Sequence, residues 1–337
     1  MTHEIKYLVK QVWEGQQKGL ESVLASVVAL EGSSYRRPGV RMLIQNNGVT
    51  YGAVSGGCVE KEVIRQAQTV FETGVPKIMT YDGRLRLGCE GVIYILLEPF
   101  RLSSALKGLF DAVFKERRPF ESSTFYSIRP QENALFGTLF TFDGVSYSLR
   151  ESYAQPLEEL EEFKQVFPPL FQLFIFGAEH DAVVLCKSAA SLGWEVTVVG
   201  PPDEAKSKLF FEGAHDFITP SFESLELNSI DRQTAVILMT HSFSKDTQYL
   251  LALSTTQPAY IGILGPKDRR ERVVEQLLNF KPEVSISFLE QLYGPSGINI
   301  GAESAEEIAV SILAEILSVI RNQKPISLKE KLGRIHE

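Results

Sequence analysis

Soft, oxidisable side chains are scarce in this chain: 337 residues hold three cysteines, four methionines and two tryptophans. An odd number of thiols in a long chain excludes a disulfide framework and reads as reduced cysteines in a reducing compartment. Positive charge is short as well. Lys and Arg total 34 against 42 Asp and Glu, a net charge of -8. That balance excludes nucleic-acid binding through a general basic surface, because such affinity comes from neutralising phosphates. No uninterrupted apolar run reaches the roughly 18 residues that a membrane span requires. The opening MTHEIKYLVKQVWEG has charges through its first apolar stretch and no small-residue cleavage site, so it does not read as a signal peptide. The expectation is a cytoplasmic protein with neither membrane nor nucleic-acid partner. Internal repeats and low-complexity tracts are missing too.

What is present is the balance of an ordinary soluble globular protein, 44% apolar and 23% charged. The length exceeds what one hydrophobic core fills, so two domains are expected. Ile5, Leu8, Val9, Val12 and Trp13 recur at helical spacing up to Gly19. SVLASVVAL then suits a buried strand, and Asn47-Gly48 lies between two strand-like runs as a hairpin turn. VEKEVIRQAQTVFETG reads as a helix stopped by Gly74, GVIYILLEPF as a strand, and 102–116 as a helix. Alternating segments follow around a second turn, Asp143-Gly144. Residues 151–168 are acidic and proline-flanked, which suits a linker or capping segment.

Beyond it the pattern changes. LFQLFIFGA, WEVTVVG, TAVILMTH and AYIGILG are apolar runs with polar ends, separated by helical stretches, and this alternation implies parallel strands with helical crossovers. The predicted fold class is therefore α/β: a mixed α+β domain over 1–150, a connecting segment over 151–168, and a Rossmann-like doubly wound parallel sheet over 169–337.

Three stretches of the first half carry chemistry. EGSSYRRPGVRM places Ser33, Ser34, Arg36, Arg37 and Arg41 in a loop bent by Gly32 and Pro38-Gly39. Hydroxyls, freed amides and guanidinium forks make an anion site, although such arginines also pair with nearby carboxylates in a solvated turn. In SGGCVE, Cys58 follows Gly56 and Gly57 at the predicted start of a helix, where unsatisfied amides favour a thiolate. The alternative is a small hydrophobe filling space. RLGCEG repeats the arrangement around Cys89, which tilts the reading toward chemistry. Neither cysteine has a CxxC partner, so structural zinc is not expected. Cys186, in mid-helix, reads as core.

In the second half, Gly177 opens FGAEHDA after an apolar strand, the setting of a dinucleotide-binding turn. The position of the fingerprint's second glycine is Glu179, whose carboxylate repels phosphate, and the ribose-binding acid expected at the end of the next strand is missing, because that strand ends in Gly200, though Asp203 is close. His180, Asp181, Thr240 and His241 fall at strand ends, where doubly wound sheets bind ligands. Helix capping by Asp181 is the competing explanation.

Taken in order, EGSSYRRPGVRM, SGGCVE, LGCEG, IFGAEHDA, MTHSFSKD, YIGILGPKDRR and GPSGINIGAESAEEIAVSILAEI resemble the xanthine dehydrogenase accessory family, XdhC/CoxI, from about residue 20 to 320. The resemblance implies a non-catalytic chaperone that binds the molybdenum cofactor, assists exchange of an oxo for a sulfido ligand, and delivers it to xanthine dehydrogenase-type molybdenum hydroxylases. It implies self-association as a homodimer, and a cysteine desulfurase as a possible further partner. It carries over the arginine loop, Cys58 and Cys89 as cofactor contacts. The family's glycine at GAGHD is Glu179 here, which argues against NAD(P). On this basis Gly56 and Gly57 are expected to let amides approach the cofactor, with Cys58 and Cys89 as molybdenum or sulfur contacts. An NAD(P)-dependent oxidoreductase and a thiol redox switch using Cys58 and Cys89 are the competing readings.

Overall fold

In the computed structural model, which describes residues 2–32, 37–55, 57–85, 91–150 and 160–331, the opening periodicity becomes helix α1, Thr2–Gln17, with Ile5, Leu8, Val9 and Val12 buried. Gly19, at φ 73°, turns the chain into strand β1, Ser22–Glu31. There follow β2 (Arg41–Gln45), β3 (Thr50–Gly52), helix α2 (Cys58–Thr73), β4 (Lys77–Asp82) and β5 (Val92–Pro99). These strands form one antiparallel sheet in the order β3-β2-β1-β5-β4. β1 is mostly apolar because both its faces are covered. Val23, Ala25 and Val27 pack with Val59, Val63, Ala67 and Val70 of α2. Val28 joins Leu96, Tyr126 and Phe136 on the other face.

Helix α3 (Ser104–Lys115) leads into a second antiparallel sheet made of β6 (Phe120–Tyr126), β7 (Gly137–Phe142), β8 (Val145–Ser148) and β9 (Glu161–Phe167), ordered β8-β7-β6-β9. Asp143 and Gly144 join β7 to β8 with φ of 50° and 81°, the left-handed pair that a tight hairpin needs. Phe110 of α3 stands edge-on to Phe140 and Phe142 at 5.1 Å between ring centres, and Phe120 stacks on Phe167 at 4.7 Å.

Two elements depart from expectation. Residues 161–167, placed in a linker by their acidic character, are a sheet strand paired along β6. Their period of two is real, with Gln165 and Phe167 buried and Lys164 and Val166 exposed, but charges at its start hide it. β4 is the other, a short mixed segment without a sequence signal, and it pairs with β5 from Lys77 to Asp82.

The contacts divide the chain into two units, residues 1–169 and 170–337. The second unit contains β10 (Gln172–Phe176), α4 (His180–Ser191), β11 (Glu195–Val199), β12 (Asp216–Ile218), β13 (Thr234–Leu238), α5 (Phe243–Leu253), β14 (Tyr260–Ile263), α6 (Lys267–Phe280), α7 (Ile286–Glu290), β15 (Leu292–Tyr293) and α8 (Ala305–Ile320). Its strands are parallel in the order β12-β11-β10-β13-β14-β15, the doubly wound Rossmann arrangement. Leu173 and Ile175 face the α4 and α8 side, while Phe174 and Phe176 face the α5 and α6 side. Cys186 is core, as the sequence suggests, and burial pushes its thiol up to about 11. Among the described residues, no helix is long and apolar enough to cross a membrane.

A buried carboxyl links the two sheets of the first unit. Glu98 of β5 is 1% exposed and accepts from the Thr138 amide at 2.9 Å and the Thr138 hydroxyl at 2.6 Å. Burial raises this carboxyl above its ordinary range, against the pull of the Thr138 bonds and the more distant Arg150 and Arg41. The folded chain therefore holds the proton more tightly than the unfolded chain, so the group's contribution to stability is greatest at low pH. It declines as pH rises above the unfolded value near 4.5. Glu98→Gln keeps an acceptor for Thr138 without titrating. Urea unfolding of the first unit, followed by Trp13 fluorescence in a Trp194→Phe background, should show the variant gaining on the wild type between pH 5 and pH 8.

Candidate functional site

The pairing of β1 brings the three motif loops of the first unit to one end of its five-stranded sheet. Glu31, the last residue of β1, is opposite Val92, the first of β5, and Asp82, the last of β4, is opposite Val92 on the other side. The Gly83 amide donates to Gly91 O at 2.9 Å and closes the neck of the connection that contains Cys89. Across β1, the Val27 amide donates to Val40 O and the Gly39 amide to Val27 O, which extends the β2 pairing back toward the arginine loop. Gly52 ends β3 opposite Met42, and the chain passes through 53–57 into α2. Connections 32–40, 53–57 and 83–91 thus leave the sheet at the same end.

Ser33, Ser34, Arg36, Gly56 and Cys89 lie outside the described residues, as does the side chain of Cys58, whose backbone opens α2. The described rim is polar. Arg37 is exposed. Arg84 is engaged bidentately by Asp82, at 2.6 and 2.8 Å. The buried Tyr94 hydroxyl donates to Glu31 at 2.7 Å, and this bond to a carboxylate raises its pKa. Gly57 has φ 109° and nothing within 4 Å of where a Cβ would stand, so backbone conformation and open space account for the glycine. Its amide is occupied, since the Glu60 carboxylate accepts from the Ser55 and Gly57 amides, each at 2.6 Å. The Gly57 amide is therefore bonded within the chain.

Arg41 also departs from expectation. It is 7% exposed and points between the two sheets of the first unit. Nη1 donates to Gly39 O at 2.9 Å and to Gln165 Oε1 at 2.6 Å, Nη2 to Ser122 at 3.4 Å, and the guanidinium lies 5.4 Å from the centre of the Phe167 ring. Burial lowers its pKa to about 10. Its location makes it a tie between β2, β6 and β9 rather than part of an anion cradle at the loop end.

In the second unit the strand ends meet between β10 and β13, where the order of the sheet reverses. Gly177 is required there, because φ is 134° and a Cβ would lie 2.4 Å from Met239 O. His180 opens α4 and is exposed. The structure brings Asp181 and His241 together, with Oδ2 and Nε2 3.9 Å apart, and His241 has φ 55°. Beside it, Thr240 is tied to Asp246 and through it to Arg269, two residues that sequence reasoning gave no role. Asp246 of α5, 0% exposed, accepts from the Thr240 hydroxyl at 2.6 Å and the Thr240 amide at 3.2 Å, and pairs with Arg269 at 2.5 Å. MTHSFSKD and KDRR contain these residues, but their spacing of 23 gives no local signal. Among the described residues no cluster of His, Cys, Asp and Glu suits a metal ion.

Two family models match the chain: the XdhC and CoxI family over residues 16–82, and the XdhC Rossmann domain over 173–316. A crystal structure described as a xanthine dehydrogenase from Bacillus halodurans is 30% identical with a TM-score of 0.77, covering 94% of this chain and 96% of that one. The chain belongs to the XdhC/CoxI family. Among XdhC/CoxI relatives, a Bacillus subtilis protein named as a probable subunit of xanthine dehydrogenase is 29% identical over 88% of this chain and 92% of its own length. An Escherichia coli protein named "Molybdenum cofactor insertion chaperone PaoD" is 24% identical over 96% of this chain and 91% of its own.

Two substitutions test these placements in this XdhC/CoxI chain. Arg41→Met should destabilise the first unit by about 2 kcal/mol by stranding Gln165 and Gly39 O, read by Trp13 fluorescence in urea. Gly177→Ala should cost the second unit at least about 2 kcal/mol in backbone strain and displacement of Met239, read by Trp194 in a Trp13→Phe background.

Proposed function

We propose that this chain is an accessory protein that receives the molybdenum cofactor at the loop end of its five-stranded sheet and passes it to a xanthine dehydrogenase-type hydroxylase. The observation that carries the reading is the exit of three motif-bearing connections at one end of that sheet, which joins chemistry scattered from residue 32 to residue 91. Arg36, Arg37, Ser33 and Ser34 supply the donors that a terminal phosphate of the cargo needs. Cys58 occupies the first position of α2, where the helix N-terminus favours a thiolate, and Cys89 belongs by sequence to the connection between β4 and β5. A soft sulfur near the metal end and hard donors at the phosphate end match the polarity of such a cargo. The names of the Escherichia coli and Bacillus subtilis relatives are in keeping with this role.

Oxo-to-sulfido exchange on the bound cargo, supply of that sulfur by a docked cysteine desulfurase, and pairing of two chains belong to the same reading. His180, Asp181 and His241 serve as a second, polar contact surface at the switch point of the other unit. An NAD(P)-dependent oxidoreductase has the parallel sheet in its favour and Glu179 against it.

The test is anaerobic purification from a host that makes the cofactor, followed by molybdenum and pterin analysis. The wild-type chain should retain both. Cys58→Ser with Cys89→Ser should lower retained molybdenum at least about tenfold, the loss of one good contact, and Arg36→Ala with Arg37→Ala should release the pterin. Equal retention by all three proteins would remove these residues from the mechanism, and an empty wild type would remove the reading.

A further inference from the structure

A Rossmann sheet offers a dinucleotide two fixed points: the N-terminus of the helix after its first strand for the pyrophosphate, and an acid at the end of the second strand for a ribose. Both points exist in the second unit, and both are taken by the chain's own side chains. The helix after β10 begins at His180 with Glu179 as its N-cap, in extended backbone at φ -79°. A Cβ and a carboxylate therefore stand at the position of the fingerprint's second glycine, where the backbone must come close to phosphate. The Glu179 side chain is 62% exposed and has an ammonium beside it. Its Oε2 is 3.9 Å from Lys206 Nζ, and the same ammonium is 3.2 Å from Glu204 Oε1.

Glu204 lies at the other fixed point. Gly200, directly after β11, would place a Cβ 3.4 Å from Glu204 Cβ, so the glutamate folds back over the end of the second strand. Its side chain is 10% exposed and accepts from the Lys206 amide at 3.1 Å, the bond that does most to hold its carboxyl below the ordinary range. Glu204, Lys206 and Glu179 thus form a chain of alternating charge from the ribose point to the pyrophosphate point. Two carboxylates against one ammonium leave it negative, and Asp181 in the first turn of α4 adds to that sign.

We infer that Glu179, with Lys206 beside it, keeps dinucleotides out of this crevice by putting the protein's own carboxylate where the fold's usual ligand puts its phosphates. Lys206 has the complementary role: with Glu179 removed, its ammonium keeps Glu204 as a partner and turns its other face to a phosphate. The inference concerns the second unit and stands or falls independently of cofactor handling in the first.

NADH titrated into the full-length chain, followed by fluorescence anisotropy, provides the test. The wild type should show no saturation up to about 1 mM, and Glu179→Gly should bind at least about tenfold more tightly, since removing a juxtaposed like charge is worth that much. Glu179→Gln should gain less, because its side chain still fills the approach. Glu179→Gly combined with Lys206→Met should lose most of the gain. Saturable NADH binding by the wild type in the micromolar range would overturn the inference. So would an affinity for Glu179→Gly no higher than the wild type's in a protein with wild-type thermal unfolding. If Glu179→Gly does not fold, Glu179→Ala takes its place, and no gain there overturns the inference equally.

Discussion

Strand β1 lies in the middle of the five-stranded sheet, hydrogen-bonded to β2 on one edge and to β5 on the other, and both neighbours run against it. Antiparallel pairing returns each connection to the end it started from, and the register is set by covering both faces of a continuous apolar strand. From that follows the common exit of connections 32–40, 53–57 and 83–91. A slip of one residue in β1 would exchange the α2 face, Val23, Ala25 and Val27, for the face that meets the second sheet. The common exit of the connections is thus a consequence of strand pairing and core packing.

Polar groups between the two sheets of the first unit have a different task. Glu98 bonds to Thr138, and Arg41 bonds to Gln165 and Ser122, so each crosses from the five-stranded sheet to the four-stranded one. Apolar contacts alone would tolerate sliding of one sheet on the other. Directional bonds from buried groups do not, because a group that loses its partner there keeps the full cost of its desolvation.

In the second unit the parallel sheet brings loops from distant stretches to one crevice, and the groups that meet there decide what it accepts. Gly177 keeps the close backbone approach that the fold uses, while Glu179, Lys206 and Glu204 bring alternating charges, each within 4 Å of the next, near the same strand ends. Architecture and ligand preference are separable: the sheet follows from apolar periodicity, and the preference from a few charges at strand ends.

The sequence by itself determined the local elements and the two classes of sheet. Period-two and 3.6-residue patterns, the Asn47-Gly48 and Asp143-Gly144 turns, and the strand-helix alternation after residue 170 are short-range signals, legible without any partner. It also named the motif loops and Gly177. Only the tertiary structure decided that β9 is a strand, since its acidic start masks an alternation that acquires meaning beside β6. It alone turned Arg41 inward and gave the Gly57 amide to Glu60. It alone joined Asp246 to Arg269 and Lys206 to Glu179. A charged side chain reads the same in a sequence whether it faces water or a buried partner. Which it faces depends on where remote segments lie, and that is set by how strands pair and faces are covered.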